Sequence, residues 1–411
     1  MSTDGIPRGS EGVALFHPAF RLLGGAEILV ATQAQYLRSS GTDVRVATLA
    51  FESRFESLLE GVTVRVAERA PWLDRFRSEA ERMVRAVPRV DALLADCRTV
   101  MAVNFPCNAL LGASSTRARK LWCCTEPSRQ WHLVATSPHL HARHTKHPTG
   151  DSDVERTYAR RLLSNARARE TTEGARLVAF DVEMTKKLDV VYSISEFARD
   201  TMKRVYGRSD DAVIYPMVRF PEGVGPGRSG LNRAGLRVLT HSRLETVKNV
   251  ENVLRGFARF REGKAGATLS VVGEGPQRKR LEKLATNLGL AGAVRFHGYL
   301  PDEALADVYA ASDVFALQPL DEPFGMVFPE AAARGLLLVG PDHGGPLEIL
   351  DGGRLGEVTD PFAPESVAEA LHRISALSDA EVDARRSAAD RACRSRYSAE
   401  TIGPELRRAL E

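Results

Sequence analysis

Short apolar runs alternate with amphipathic stretches along almost the whole chain, and this alternation restricts the fold more than any single motif does. "GVALFHP" is followed by "GGAEILVATQAQYLRSSG", then come "DVRVATLAF", "TVMAVNFP" with "CNALLGA", "KLWCCTEP", and "LDVVYSIS" with "EFARDTMKRVYG". Repeated strand–helix units of this kind argue for a parallel sheet covered on both faces. Helix starts carry their usual signals, with Ser195 ahead of Glu196 and Asp302 ahead of "EALADVYAAS". From Arg219 to Gly235 the run "RFPEGVGPGRSGLNRAG" interrupts the rhythm with five glycines and two prolines, and "LRVLTHSRL" opens a second alternating series. A chain of 411 residues exceeds the length, roughly 250–300, at which one core stops growing. The expectation is therefore an α/β protein of two Rossmann-like, doubly wound domains facing each other across a cleft. The first spans residues 1–218, a linker spans 219–235, and the second domain spans 236–390. Ligands of such folds bind at the C-terminal ends of the strands.

Charge and cysteine usage exclude some classes of function. A net charge of +3 is too small to argue for a nucleic-acid partner. The five cysteines (Cys97, Cys107, Cys123, Cys124 and Cys393) have no C-x-x-C spacing, so neither a disulfide framework nor a zinc site is expected. The polar start "MSTDGIPRGSEG" is not a signal sequence, and no run reaches the roughly 18 apolar residues of a spanning helix. The expected location is cytoplasmic, with peripheral membrane contact compatible.

Chemistry concentrates in the second series. In "HSRLETVKNVENVL", Arg243 and Lys248 follow a strand end and precede a helix, where cations and free helix N–H groups together suit a phosphate. Only nine lysines stand against 47 arginines, so a compact ammonium kept at position 248 carries weight. Solvated surface cations are the plain alternative. "VVGEGP" places Gly273 and Gly275 in a turn that is either structural or a ligand loop. In "DEPFGMVFPEAAARG", Glu322 lies in a Pro/Gly-broken loop and Glu330 in the first turn of a helix opening near Met326. On an unbroken helix these carboxylates would be about 12 Å apart, whereas a folded-back loop brings both toward one ligand. With "PDHGGPLEIL", carrying Gly344, Gly345 and Glu348, these strand ends describe a site for a diphosphate joined to a polyol.

From Arg243 to Glu369 the sequence resembles the donor domain of the family-4 retaining glycosyltransferases of GT-B fold. Glu322 and Glu330 form the E-x7-E signature, with "PFG" inside it. "GGAE" at Gly24 to Glu27, "VVYSISEFARDTMKRVYG", "VIYPMV", "VVGEGP", "VRFHGYL" and "GGPLEIL" extend the likeness to most of the chain except residues 137–176. The resemblance implies that Arg243 and Lys248 bind the donor diphosphate, that Glu330 holds the ribose hydroxyls and that Glu322 meets the transferred sugar. Gly24 and Gly25 would approach the phosphates, His297, Gly298 and Tyr299 would lie by the base, and Phe324, Gly325, Met326 and Val327 would line the diphosphate. It further implies hexose transfer from a nucleotide sugar to an acceptor hydroxyl, with retention, no cofactor and no metal. GDP-mannose is favoured ahead of UDP-sugars. A helix over 391–411 would pack back toward the first domain. Two rivals are a nucleotide-sugar epimerase of the same fold and a non-catalytic sugar-nucleotide-binding protein.

"WCCTEPSRQWH" departs from the family motif, since Thr125 replaces a histidine while Glu126, Pro127 and Arg129 remain. His132 is either a substitute for that histidine on the sugar side or a residue of the core. The segment 137–176 reads as an insertion at the first domain's edge. Its His139, His141, His144 and His147 suit a flexible acceptor-side loop better than a metal, and "DSD" at Asp151 to Asp153 suits a helix cap. The arginines of the following helix either form a solvated face or meet an anionic acceptor or lipid.

Overall fold

Strands β1 (Gly12–His17), β2 (Val44–Thr48), β3 (Thr63–Val66), β4 (Cys97–Val103), β5 (Arg119–Cys124) and β6 (Val190–Ser193) form one sheet in the order β3-β2-β1-β4-β5-β6, with every pairing parallel. A strand covered on both faces has no wet side, so all six residues of "GVALFH" are buried. The computed structural model describes residues 12–21, 23–67, 78–148, 152–208, 212–221 and 229–411. Helices α1 (Gly25–Ser39), α2 (Glu79–Leu94), α3 (Cys107–Ala113) and α4 (Arg129–Thr136) follow strands of this sheet, as do α5 (Pro138–Lys146), α6 (Asp153–Glu170), α7 (Thr172–Thr185) and α8 (Glu196–Tyr206).

The second half repeats the scheme. β7 (Arg237–His241), β8 (Thr268–Val272), β9 (Val294–Gly298), β10 (Val314–Ala316), β11 (Leu337–Pro341) and β12 (Glu357–Thr359) pair in parallel in the order β12-β11-β10-β7-β8-β9. The helices are α9 (Val250–Arg261), α10 (Arg278–Asn287), α11 (Asp302–Ala310), α12 (Val327–Ala333), α13 (Gly344–Ile349), α14 (Pro364–Ala376) and α15 (Asp379–Tyr397), with α16 (Ala399–Leu410) last. In each half the chain winds outward in both directions from the middle of the sheet. The direction switches between β1 and β4 in one sheet and between β7 and β10 in the other, and the crevice outside that switch is where open α/β sheets bind ligands.

Beneath the second switch, Asp313 at the start of β10 is fully buried and takes a two-pronged hydrogen bond from Arg237 of β7, at 2.9 and 2.7 Å. Buried Arg386 of α15 stands 3.9 Å from the same carboxylate and donates to the Gly230 carbonyl. These bonds hold the entry ends of β7 and β10 together, so their exit ends form a defined pair.

Two compact units result, and their boundaries differ from the expected domains. The first runs to Thr136 and adds Leu162–Met217 and Ala399–Glu411; the second comprises Ser137–Arg161 and Val218–Ser398. The insertion expected over 137–176 in the first domain is therefore divided. Its first part belongs to the second unit, where His139 and Leu140 bond Asp321 and Asp153 meets Arg280. The closing segment expected over 391–411 is divided too: residues up to Tyr397 continue α15 in the second unit, and α16 belongs to the first. Of the linker 219–235, residues 222–228 lie outside the described residues. Beyond them Ser229 and Gly230 bond Asp383, and Arg233 bonds Asp379, so this part packs on α15.

Ser195 caps α8 as expected, accepting from the Ala198 amide. Asp302 instead falls inside α11 as its first residue, after Pro301. In "DSD", Ser152 rather than an aspartate caps α6, bonding the Glu155 amide while the Glu155 carboxylate returns to Ser152; Asp151 is outside the described residues.

Candidate functional site

The exit ends of β7 and β10 bring together the residues that the sequence singled out most strongly. Lys248 ends a short 3-10 turn after β7, and Glu322 lies in the loop after β10. The Leu320 amide donates to the Val247 carbonyl at 2.8 Å, tying the two loops by their backbones. Lys248 Nζ consequently reaches Glu322 Oε2 at 2.5 Å, with side chains 25% and 18% exposed. Expected to serve separate tasks, the two residues are coupled in one ion pair. Arg243 stands more openly and pairs with Glu245 at 2.7 Å.

Gly273 and Gly275 are explained by packing. A Cβ on Gly273 would fall 1.9 Å from the Ser242 carbonyl oxygen, and one on Gly275 would fall 2.5 Å from that of Leu244. Only glycine lets this loop lie flat against the loop that carries Arg243, where the Leu244 amide donates to the Glu274 carbonyl. Gly344 and Gly345 play the same part beside Glu322. A Cβ on Gly345 would meet the Pro323 oxygen and Phe324 Cα at 2.4 Å, and its amide donates to the Glu322 carbonyl at 2.8 Å.

Phe324 turns its ring into the core, edge-on to Tyr397 at 5.1 Å, so a ligand can meet only its backbone. Gly325 adopts φ +92° and leads through Met326 and Val327 into α12. Glu330, in the first turn of α12, is partly buried, and that burial pushes its carboxyl up to about 7 even though Arg334 pulls it down. Burial pushes neighbouring His241, at the end of β7, down to about 4, so its ring is neutral at physiological pH and shares a 3.0 Å hydrogen bond with Tyr309. His297 and Gly298 end β9, His297 bonds Ser270 at 3.2 Å, and Tyr299 beyond them is 69% exposed. An exposed aromatic ring at a strand end is suited to stacking on a flat ligand.

In the first unit, Gly24 and Gly25 begin α1. Buried His17 at the end of β1 shares a 3.1 Å hydrogen bond with Glu27 of the same helix. Its signal in the sequence is slight: "GGAE" contains Glu27, and "ALFHP" places a histidine at a strand exit. Thr125 bonds Asn104, and Glu126 pairs with Arg129 at 2.7 Å. His132 belongs to the core: it is 6% exposed and bonds buried Asp181 at 2.8 Å, a carboxylate shared with Asn108 and Tyr206. Of the two readings it takes the core one, because Asp181 engages its ring inside the unit.

The histidine-rich segment is not the flexible loop expected, since α5 carries His139, His141 and His144. His139 lies on helix α5 and meets Asp321 and His343, their ligand atoms all within 4.8 Å of one another. Asp321 adjoins Glu322, and nothing local marks its role: Ser137 ahead of Pro138 reads as an ordinary helix cap, and only the structure shows that its hydroxyl makes no capping bond. All five cysteines are buried free thiols. Among the described residues no helix is long and apolar enough to cross a membrane.

Comparison with known proteins agrees with this geometry. Residues 228–392 match the family model described as "Glycosyl transferases group 1". Mannosylfructose-phosphate synthase of Agrobacterium fabrum is 32% identical over 44% of this chain and 41% of its own length. The GDP-mannose-dependent alpha-(1-6)-phosphatidylinositol monomannoside mannosyltransferase of Mycolicibacterium smegmatis is 29% identical over 49% of this chain and 55% of its own length. The match thus spans only about half the length of these curated relatives. Among solved structures, Anabaena HepE in complex with UDP and glucose superposes with a TM-score of 0.70 at 18% identity, covering 97% of this chain and 99% of that one. That agreement identifies the fold as GT-B.

Proposed function

Given that its second domain belongs to the group 1 glycosyltransferases, we propose that this protein transfers a hexose from a nucleotide diphosphate sugar to an acceptor hydroxyl, with retention of configuration and without a metal. The observation that carries the reading is the Lys248–Glu322 pair at the β7/β10 switch, with Arg243 and Glu330 on the same strand exits. Breaking the bond to the sugar leaves negative charge on the departing diphosphate. Lys248 and Arg243 are the cations that would stabilise it, and charge stabilisation of this kind is commonly the largest part of catalysis. Glu322, released from Lys248 as phosphate oxygens take its place, would accept hydrogen bonds from the sugar. Glu330 would accept from the ribose hydroxyls, and Tyr299 would stack on the base.

The diphosphate itself would take the acceptor proton on the reacting face, so the protein's task becomes positioning rather than acid–base division. In the first unit, Gly24 and Gly25 are assigned to phosphate, and Thr125, Glu126 and Arg129 to the sugar or acceptor. The acceptor is a small molecule, a lipid-linked sugar or a glycan, and the cytoplasm is the proposed location.

GDP-mannose is the proposed donor, in keeping with the GDP-mannose-dependent relative; UDP-sugars come next, in keeping with the UDP held by HepE. Thermal-shift titration with GDP-mannose, UDP-glucose and UDP-N-acetylglucosamine tests this, since a ligand at one hundred times its dissociation constant adds about 2.7 kcal/mol. A shift with GDP-mannose alone supports the donor assignment. No shift with any of them sinks the functional reading, and a new sugar epimer formed without acceptor would favour an epimerase.

A further inference from the structure

Helix α5 starts without a working cap of its own. Ser137 makes no capping bond, and its hydroxyl is buried without a partner. Asp321, fully buried and held at φ 49°, takes over from another part of the chain. Its Oδ1 accepts from the His139 amide at 3.2 Å and shares a 2.7 Å bond with His139 Nδ1, while Oδ2 accepts from the Leu140 amide at 3.2 Å. A carboxylate on free N–H groups at a helix start satisfies donors that would otherwise lack partners, and it also complements the helix dipole. The Asp321 amide in turn donates to His343 Nε2 at 3.3 Å, and His343 Nδ1 is bonded to Asp342 at 2.9 Å. The rings of His139 and His343 stack at 4.0 Å, 21° from parallel. Nearly parallel rings send their in-plane lone pairs side by side rather than toward one point, and both nitrogens of His343 are already engaged. The arrangement is that of a hydrogen-bonded lock rather than a metal centre.

The same segment touches the neighbouring loops. Asp153 approaches Arg280 at 3.2 Å, and Arg280 bonds Glu251 and Gln277, at the start of α9 and in the loop after β8. Arg143 bonds Glu155 at 2.7 Å and lays its guanidinium over Phe362, 5.4 Å from the ring centre. Residues 137–148 and 152–161 therefore reach the loops on either side of Lys248 and Glu322.

We propose that this segment is a strap built into the nucleotide-sugar-binding unit, with His139 and Asp321 as positioning residues that fix the Glu322 loop and thereby set affinity for the nucleoside diphosphate. The proposal rests on the donor reading above. Hydrogen–deuterium exchange on the full-length, ligand-free protein, together with GDP and UDP dissociation constants, tests it in wild type, His139→Ala and His139→Asn. His139→Ala should speed amide exchange across residues 319–326 about ten-fold, leave β1 to β6 protected, and weaken the bound nucleotide by about ten-fold, the equivalent of one charge-assisted hydrogen bond. His139→Asn, whose amide can replace the Nδ1 donor, should restore both. Unchanged exchange, an asparagine variant as impaired as alanine, or a loosened loop with unchanged nucleotide affinity would overturn the strap. So would a chelator that reproduces the alanine phenotype in wild type, since that would mark a metal link. If neither nucleotide binds wild type, the functional reading fails while the exchange experiment still decides whether His139 locks the loop.

Discussion

Lys248 and Glu322 sit 2.5 Å apart with most of both side chains covered, so each is held by the other until something more strongly charged arrives. A diphosphate would have to displace Glu322 from the ammonium. Glu322→Gln should accordingly tighten GDP or UDP a few-fold, because Lys248 no longer exchanges a charged partner for the phosphate, while turnover falls at least ten-fold through loss of the sugar contact. Calorimetric titration beside steady-state rates checks both halves, and weaker nucleotide binding in the variant would contradict the ion-pair argument. Glu330 offers a second handle. Burial raises its carboxyl from an ordinary 4.5 to about 7. The folded protein holds the proton more firmly than the unfolded chain, so this group's contribution to stability is complete below about pH 4.5 and declines as pH rises to about 7. Glu330→Gln should therefore raise the melting temperature at pH 8 more than at pH 5. Nucleotide affinity should move the other way in wild type. Between pH 8 and pH 6 it should weaken toward ten-fold as the ionised fraction drops to about a tenth, and the glutamine variant should lose that dependence.

Loops touching backbone to backbone hold these side chains, and here glycine acts through its lack of a side chain. Gly345 lets the start of α13 lie against Pro323 and Phe324, inside the E-x7-E interval. Gly345→Ala would place a methyl 2.4 Å from two backbone atoms of that loop, so one of the loops must move. Displacement of catalytic groups by about 1 Å is enough to cost on the order of 100-fold in rate. The expected outcome is a loss of that order in kcat with the far-ultraviolet circular dichroism unchanged, and a variant as active as wild type would show that the loop is not held this way.

Each unit has its own sheet and its own core, and α16 completes the first one from the far end of the chain. Thr99 of β4 donates to the Leu410 carbonyl at 3.1 Å, and Arg119 of β5 donates to that of Ala409 at 2.7 Å. Gly403 leaves room for Tyr36 of α1, whose ring a Cβ there would overlap at 1.9 Å. Truncation after Ser398 should therefore expose β4, β5 and α1 to amide exchange while β7 to β11 keep their protection. Equal loss in both sheets would show that α16 supports more than the first unit.

Strand–helix rhythm, two halves, the E-x7-E carboxylates and the two cations were all legible in the residue order, because each depends on periodicity or spacing within a short window. Local order also pointed to Ser195 as a cap, since a cap and the amide it bonds are three residues apart. It could not show that Lys248 answers Glu322, that glycines 273 and 345 serve backbone contacts, or that His132 belongs to Asp181. Those partners lie 74, 31, 21 and 49 positions away. The histidine-rich segment marks the limit most clearly. Read along the chain it is a flexible addition to the first domain; in space His139 stands on a helix whose cap is Asp321, 182 residues later, beside Glu322. Hydrogen bonds and burial follow distance in space, and only folding turns that long separation in sequence into 2.7 Å.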